Sequence, residues 1–251
     1  EFRMPGSSFS VAGPNIMLNT AVAAAFDEFY EKLKKAKDVE KSAVKLVAET
    51  IKRHGRIIFN GNGYSPEWIK EAERRGLMNL KNTVEAIPHL IDEKNVRLFA
   101  KYGVYTENEI KARHDILLEN YSKTVRIEAL TTIDMARKDI FPAVNDFVAD
   151  TCSNVAAKHE ILPAVDTTIE EDIACRLSAL NSAMMAETSE LEAAVRKAET
   201  IADVKAAAVC YRDNVVSAME RVRAAADEME TLCASSYWPM PTYGELLFSV
   251  K

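Results

Sequence analysis

Glu1 and Arg3 are the residues of this chain whose types and spacing lend themselves most directly to chemistry. They open the run Glu1-Phe2-Arg3-Met4-Pro5-Gly6-Ser7-Ser8. In an extended segment, residues two apart point to the same face. A carboxylate would then stand beside a guanidinium fork. The first is a ligand for a hard cation, and the second grips a carboxylate or a phosphoryl group. The same spacing also suits a solvated surface pair, and both readings stand at this point.

Other candidates are weaker. Asn60-Gly61-Asn62-Gly63 loosely resembles a phosphate-cradling turn, but it lacks the glycine spacing and the lysine of a nucleotide loop and reads as a plain turn. The aromatic stretch from Tyr237 to Phe248 is either a recognition element or a tail that packs on its own bundle, and the second reading is favoured. His54 sits near a helix end, where a cation suits the dipole. His89, His114 and His159 show no partner at metal-ligand spacing. The methionines Met184, Met185, Met219 and Met229 fall at helical spacing and read as core. Cys152, Cys175, Cys210 and Cys233 are far apart, with no C-x-x-C, which speaks against a zinc knuckle and for free thiols in a reduced, cytoplasmic setting.

These side chains must be positioned by helices. In a chain of 251 residues, 8 Gly and 8 Pro argue against an all-β or disordered chain, and 48% hydrophobic residues suffice for a core. Asn19 or Thr20 is expected to cap a helix running to Lys35, with Ala21, Val22, Ala25, Phe29 and Leu33 on one face. A second helix fits residues 40–54, with Val44, Val47, Ala48 and Ile51 as its apolar positions and Gly55 as its stop. Arg56-Ile57-Ile58-Phe59 is the one run that looks like a strand. Ser65-Pro66-Glu67 starts a helix that ends at Gly76. Short helices follow over residues 83–91 and 93–102, stopped by Gly103.

Thr106 and Glu109 form a capping box. It opens a long periodic run through Ile110, Leu117, Tyr121, Val125, Ala129, Ile133, Ala136, Ile140, Val144 and Phe147, which Pro142 should kink. Ile161-Leu162-Pro163 ends it. Two heptad arms follow. One carries Ile169, Ile173, Leu177, Leu180, Met184, Leu191, Val195 and Ala198. The other carries Val204, Ala208, Tyr211, Val215, Met219, Val222, Ala226, Met229 and Leu232. Neither arm can cover its stripe alone, so an antiparallel hairpin packed on the preceding helix is expected. The fold class is therefore mainly α: a helical bundle with a long antiparallel hairpin, a short extended N-terminal segment and an extended aromatic C-terminal tail.

The formal charge of −6 speaks against nonspecific nucleic-acid binding. No apolar run approaches the ~20 residues that span a bilayer. The opening residues show neither the basic nor the apolar stretch of a signal peptide.

Three stretches resemble the C-terminal part of the type III glutamine synthetases. The first is Glu1-Phe2-Arg3-Met4-Pro5-Gly6-Ser7-Ser8-Phe9-Ser10-Val11-Ala12-Gly13-Pro14-Asn15, with Leu18-Asn19-Thr20. The second runs from Arg56-Ile57-Ile58-Phe59-Asn60-Gly61-Asn62-Gly63 through Trp68 to Arg74-Arg75-Gly76-Leu77. The third combines Tyr121-Ser122-Lys123-Thr124, Asp134-Met135-Ala136 and Pro142-Ala143 with the closing Tyr237-Trp238-Pro239 and Pro241-Thr242-Tyr243-Gly244. The resemblance implies synthesis of glutamine from glutamate, ammonia and ATP through a γ-glutamyl phosphate, with Mg²⁺ or Mn²⁺. It matches Glu1 to a metal-binding glutamate and Arg3 to the arginine that binds substrate and stabilises the transferring phosphoryl. In the motif R-x-E-x-R, the first arginine would precede Glu1. It further implies that residues 1–36 end a catalytic domain and residues 37–251 form a helical C-terminal domain, in a cytoplasmic homo-oligomer of stacked hexameric rings. The rest of the active site is expected upstream, leaving this fragment inactive alone. The competing reading is a non-catalytic helical interaction or oligomerisation module.

Overall fold

The computed structural model describes residues 9–248. Their regular structure is helical, with no strand among the described residues. By contacts the chain forms two compact units, residues 1–114 and 115–251.

The first unit begins with α1 (Ala12–Leu33), which starts earlier than expected. Ser10 Oγ accepts from the Ala12 amide at 3.2 Å. Pro14 falls in the first turn, where its missing N–H leaves no intrahelical bond unmade. α2 (Val39–His54) is capped by Asp38, whose carboxylate accepts from the Lys41 amide at 3.0 Å. The expected face of α2 is turned outward, whereas that of α1 is divided, with Ala21, Val22 and Ala25 exposed and Phe29 and Leu33 half-buried. Val22, Phe26 and Tyr30 form an exposed row on α1, as do Val44, Val47 and Ile51 on α2, while Thr20 and Leu46 are buried instead. Gly55 does not take a left-handed stop. The chain tightens into a 3₁₀ turn over Gly55–Ile57 and then runs irregularly, so the strand expected at Arg56 to Phe59 is absent.

Signals with a local mechanism fare better. Ser65 caps α3 (Pro66–Arg74), its hydroxyl accepting from the Trp68 amide at 3.4 Å. Gly76, at φ 71°, closes that helix as a Schellman motif: Leu77 N–H donates to Ala72 O and Gly76 N–H to Glu73 O. α4 (Thr83–Ala86), a 3₁₀ turn over Ile87–Ile91 and α5 (Glu93–Lys101) follow, and Gly103, at φ 64°, ends α5 the same way. The Lys101 ammonium and the Tyr102 hydroxyl both donate to Asp27 of α1, at 2.6 and 3.0 Å, tying α5 to α1.

α6 (Glu107–Met135) opens with the expected capping box, Thr106 N–H donating to Glu109 Oε2 at 2.7 Å and Glu109 N–H to Thr106 Oγ1 at 3.3 Å. Just before Pro142, where a kink is expected, the run passes through a π-turn over Ala136–Ile140, after which α7 (Phe141–Ile161) continues with Pro142 in its first turn. α8 (Thr168–Glu199) and the arm made of α9 (Val204–Cys210), a second π-turn over Tyr211–Val216 and α10 (Ser217–Leu232) complete the bundle of the second unit. At 1.5 Å per residue, α8 is about 48 Å long.

Ion pairs fix the directions. Arg176 pairs with Glu228 and Arg221 with Glu187 between α8 and α10, so residue numbers rise on one helix as they fall on the other. Arg137 with Glu192 and Lys158 with Glu170 show the same for α7 and its preceding turn against α8. The hairpin is antiparallel and packs on the preceding helix, as the heptads require. Leu177, Met184, Leu191, Val195, Val215, Val222 and Met229 lie in one core cluster with Val125, Ala129 and Val144.

Leu177 is fully buried there. Leu177→Ala should destabilise the protein by about 2–5 kcal/mol, because the rigid neighbours cannot close the cavity; chemical denaturation followed by circular dichroism measures it.

Candidate functional site

Glu1 and Arg3 lie outside the described residues. Within the described ones, no group of three or more His, Cys, Asp or Glu is placed to hold a metal ion. What the structure does build from the residues singled out in sequence is a braced loop, an array around a helix start and an anchored tail.

The loop runs from Arg56 to Tyr64. Phe59 stacks on Trp68 with ring centroids 4.0 Å apart and planes 20° from parallel. The Arg75 guanidinium lies 5.5 Å from the Trp68 ring and 6.0 Å from the Phe59 ring. Its Nη1 donates to the carbonyls of Ile58 at 3.0 Å and Arg56 at 3.2 Å, and its Nε donates to Glu71 Oε1 at 2.5 Å. Arg75 thus holds the backbone of the loop and both rings at once, which a lysine could not do. Glu71 also accepts two bonds from Arg74, at 2.6 and 2.7 Å. Glycine is required at 61: a side-chain carbon there would stand 2.5 Å from the Phe59 ring, itself fixed against Trp68. The loop is a braced turn rather than an anion cradle. Arg75 and Glu71 were not singled out in sequence, although Glu71-x-x-Arg74-Arg75 has the i,i+3 and i,i+4 spacing of helical ion pairs.

His159 on α7 donates from Nε2 to Thr167 Oγ1 at 2.8 Å, and that hydroxyl donates to Glu171 at 2.6 Å. In nucleophilic catalysis the imidazole stands between hydroxyl and carboxylate. Here the hydroxyl stands between the other two, its proton goes to Glu171, and Thr167 is 3% exposed. The array therefore secures the start of α8. His89 Nδ1 lies 3.0 Å from Asp92. Cys152 and Cys175 are exposed and Cys210 and Cys233 buried, all as free thiols.

The tail packs on its own bundle as favoured. The Tyr237 hydroxyl donates to Asp150 at 2.5 Å and its ring meets Phe147 at 5.2 Å. Trp238 and Met240 lean on the core and line an apolar groove of about 390 Å³ between the first π-turn and α10. The tail is not wholly extended. Thr242 and Glu245 form a second capping box, which starts the short helix α11 (Tyr243–Phe248).

The two arginines hold the Glu71 carboxyl down at about 2, Arg74 by the larger share. The folded value lies below the unfolded one of about 4.5. The bracing is therefore complete above pH 4.5 and lost as pH falls towards 2. Arg74→Gln should move the Glu71 titration midpoint upward, which carboxyl-detected NMR reads directly.

Residues 42–159 match the family described as the glutamine synthetase C-terminal domain. The whole chain aligns at 34% identity with a glutamine synthetase of Butyrivibrio fibrisolvens, covering 36% of that protein. It is 29% identical to a type-3 glutamine synthetase of Dictyostelium discoideum, over 99% of this chain and 35% of that one. For a glutamine synthetase of Bacteroides fragilis the figures are 28%, 99% and 35%. The chain thus spans about a third of the length of these relatives. The likeness extends from the first residues of this chain to its tail, and its residues 42–159 carry the match to the C-terminal domain of the glutamine synthetases.

Proposed function

We propose that this chain is the C-terminal part of an ATP-dependent glutamate–ammonia ligase, which forms glutamine through γ-glutamyl phosphate. The observation that carries this is the alignment of the entire chain, residues 1–15 included, with a glutamine synthetase. In this reading residues 1–36 end the catalytic domain and residues 37–251 are the helical C-terminal domain. Glu1 is the metal ligand, its oxygens being the hard donors that Mg²⁺ or Mn²⁺ takes. When bound, that cation neutralises charge on the phosphates of ATP. Arg3 grips glutamate and then the phosphoryl group in flight. Its guanidinium is always charged and presents a fixed fork, so it needs no reorganisation as negative charge gathers on the equatorial oxygens. The remaining ligands belong to residues ahead of this segment, so the segment alone is inactive.

The setting proposed is a cytoplasmic homo-oligomer of stacked hexameric rings. No helix among the described residues is long and apolar enough to cross a membrane. The exposed rows on α1 and α2 support a covered surface in the assembled protein. They also keep alive the second reading, in which the helices serve as an interaction module without catalysis.

Two measurements separate these. In the full-length protein, Arg3→Ala should lower kcat by about 10³–10⁵, the range found for arginines that stabilise phosphoryl transfer; unchanged turnover would favour the interaction module. The isolated 251-residue chain should show no synthetase turnover and should self-associate in sedimentation velocity. Any turnover from it would refute the assignment of the missing active site to upstream residues.

A further inference from the structure

We infer that Asn181 is a register lock, whose side-chain amide selects the position of the π-turn in the neighbouring helix. The buried seam of α8 recurs every three or four residues: Ala174, Leu177, Asn181, Met184, Thr188, Leu191, Val195 and Ala198. Two of these are polar. The Thr188 hydroxyl donates to the Met184 carbonyl of its own helix at 2.7 Å, so it asks nothing of a partner. Asn181 is different. Its Nδ2 crosses to the next helix and donates to the Phe141 carbonyl at 3.1 Å, while its Oδ1 is buried with no hydrogen-bond partner. The residue as a whole is 5% exposed.

A leucine would fill this place without a buried, unmet Oδ1, so stability alone does not explain the amide. What the amide does and leucine cannot is to bond the backbone at one position. Phe141 is the first residue after the π-turn of Ala136–Ile140. A π-turn is a one-residue insertion in a helix. It can migrate by exchanging hydrogen-bond partners, and each residue it passes turns by about 100°. Migration beyond Val144 would swing that side chain, fully buried in the present register, out of the seam. It would also take the Phe141 carbonyl away from Asn181. A single cross-helix amide in an apolar seam fixes register in this way, at some expense of stability.

The test places a reporter thiol in the helix that carries the π-turn. Val144→Cys is prepared in the full chain with Asn181 and with Asn181→Leu, and alkylation is followed by peptide-resolved mass spectrometry. The exposed Cys152 and Cys175 report complete labelling, and the buried Cys210 and Cys233 report opening of the bundle. The lock predicts at least tenfold faster alkylation at position 144 with Asn181→Leu, with Cys210 and Cys233 still protected. Unchanged protection at 144 would overturn it. So would labelling of 144, 210 and 233 together, which would make Asn181 a plain stabilising residue.

Discussion

The second unit depends on keeping one apolar stripe in phase across a very long helical run. From Val125 the buried positions are Ala129, Ile133, Ala136, Ile140 and Val144. The spacing is nearly always four. Nineteen steps carry a regular α-helix through about five turns and 100° more. Val144 would then face a quarter-turn or more away from Val125. One extra residue, taken up in the π-turn of Ala136–Ile140, cancels that drift. Pro142 follows at once, and with no N–H to give it suits a place where the hydrogen-bond ladder is already broken. The straight heptad of α8 can then meet a continuous stripe along its full length.

Once the stripe is continuous, the rest of the bundle follows from it. The seam excludes water, so the charged residues are displaced to its edges, where Arg126 with Glu199, Arg137 with Glu192 and Arg221 with Glu187 bridge neighbouring helices. Each of these pairs is partly solvated, so each orients the helices more than it stabilises them. Trp238 and Met240 of the tail pack on the core and line the groove beside the π-turn.

Legibility in the sequence divides along a physical line. The stops at Gly76 and Gly103 and the starts at Ser65 and Thr106 were readable, because each rests on bonds within four or five residues. The heptads of the hairpin were readable because the seam is long enough for the period to repeat. The inward face of α2 was not, and that of α1 was readable only at Phe29 and Leu33. Val22, Phe26, Val44 and Val47 are apolar at helical spacing, yet spacing says only that a face seeks cover, not which neighbour supplies it. Arg56 to Phe59 has the composition of a strand but no partner strand, and Arg75 takes up two of its carbonyls instead. Asn181 was missed because a polar residue in an apolar seam breaks the pattern by which seams are found. Thr242-x-x-Glu245 was a local signal of the same kind as Thr106-x-x-Glu109, hidden by the prolines around it.

The same line explains why chemistry and architecture separate in this chain. A reacting site needs charged groups held apart from their natural partners and turned towards a substrate. Among the described residues the strongly shifted groups are already matched: Glu71 by two arginines, Lys101 by Asp27 and Tyr102. Matched pairs of this kind brace a loop or tie two helices, and they have little field left over for a ligand. In the proposed reading Glu1 and Arg3 differ in kind: a carboxylate and a guanidinium two residues apart in an extended segment would point side by side rather than at each other, and each would keep its charge for a third party. That geometry serves a metal–phosphate pocket only if other walls complete it. In the proposed reading those walls are catalytic-domain residues ahead of this segment.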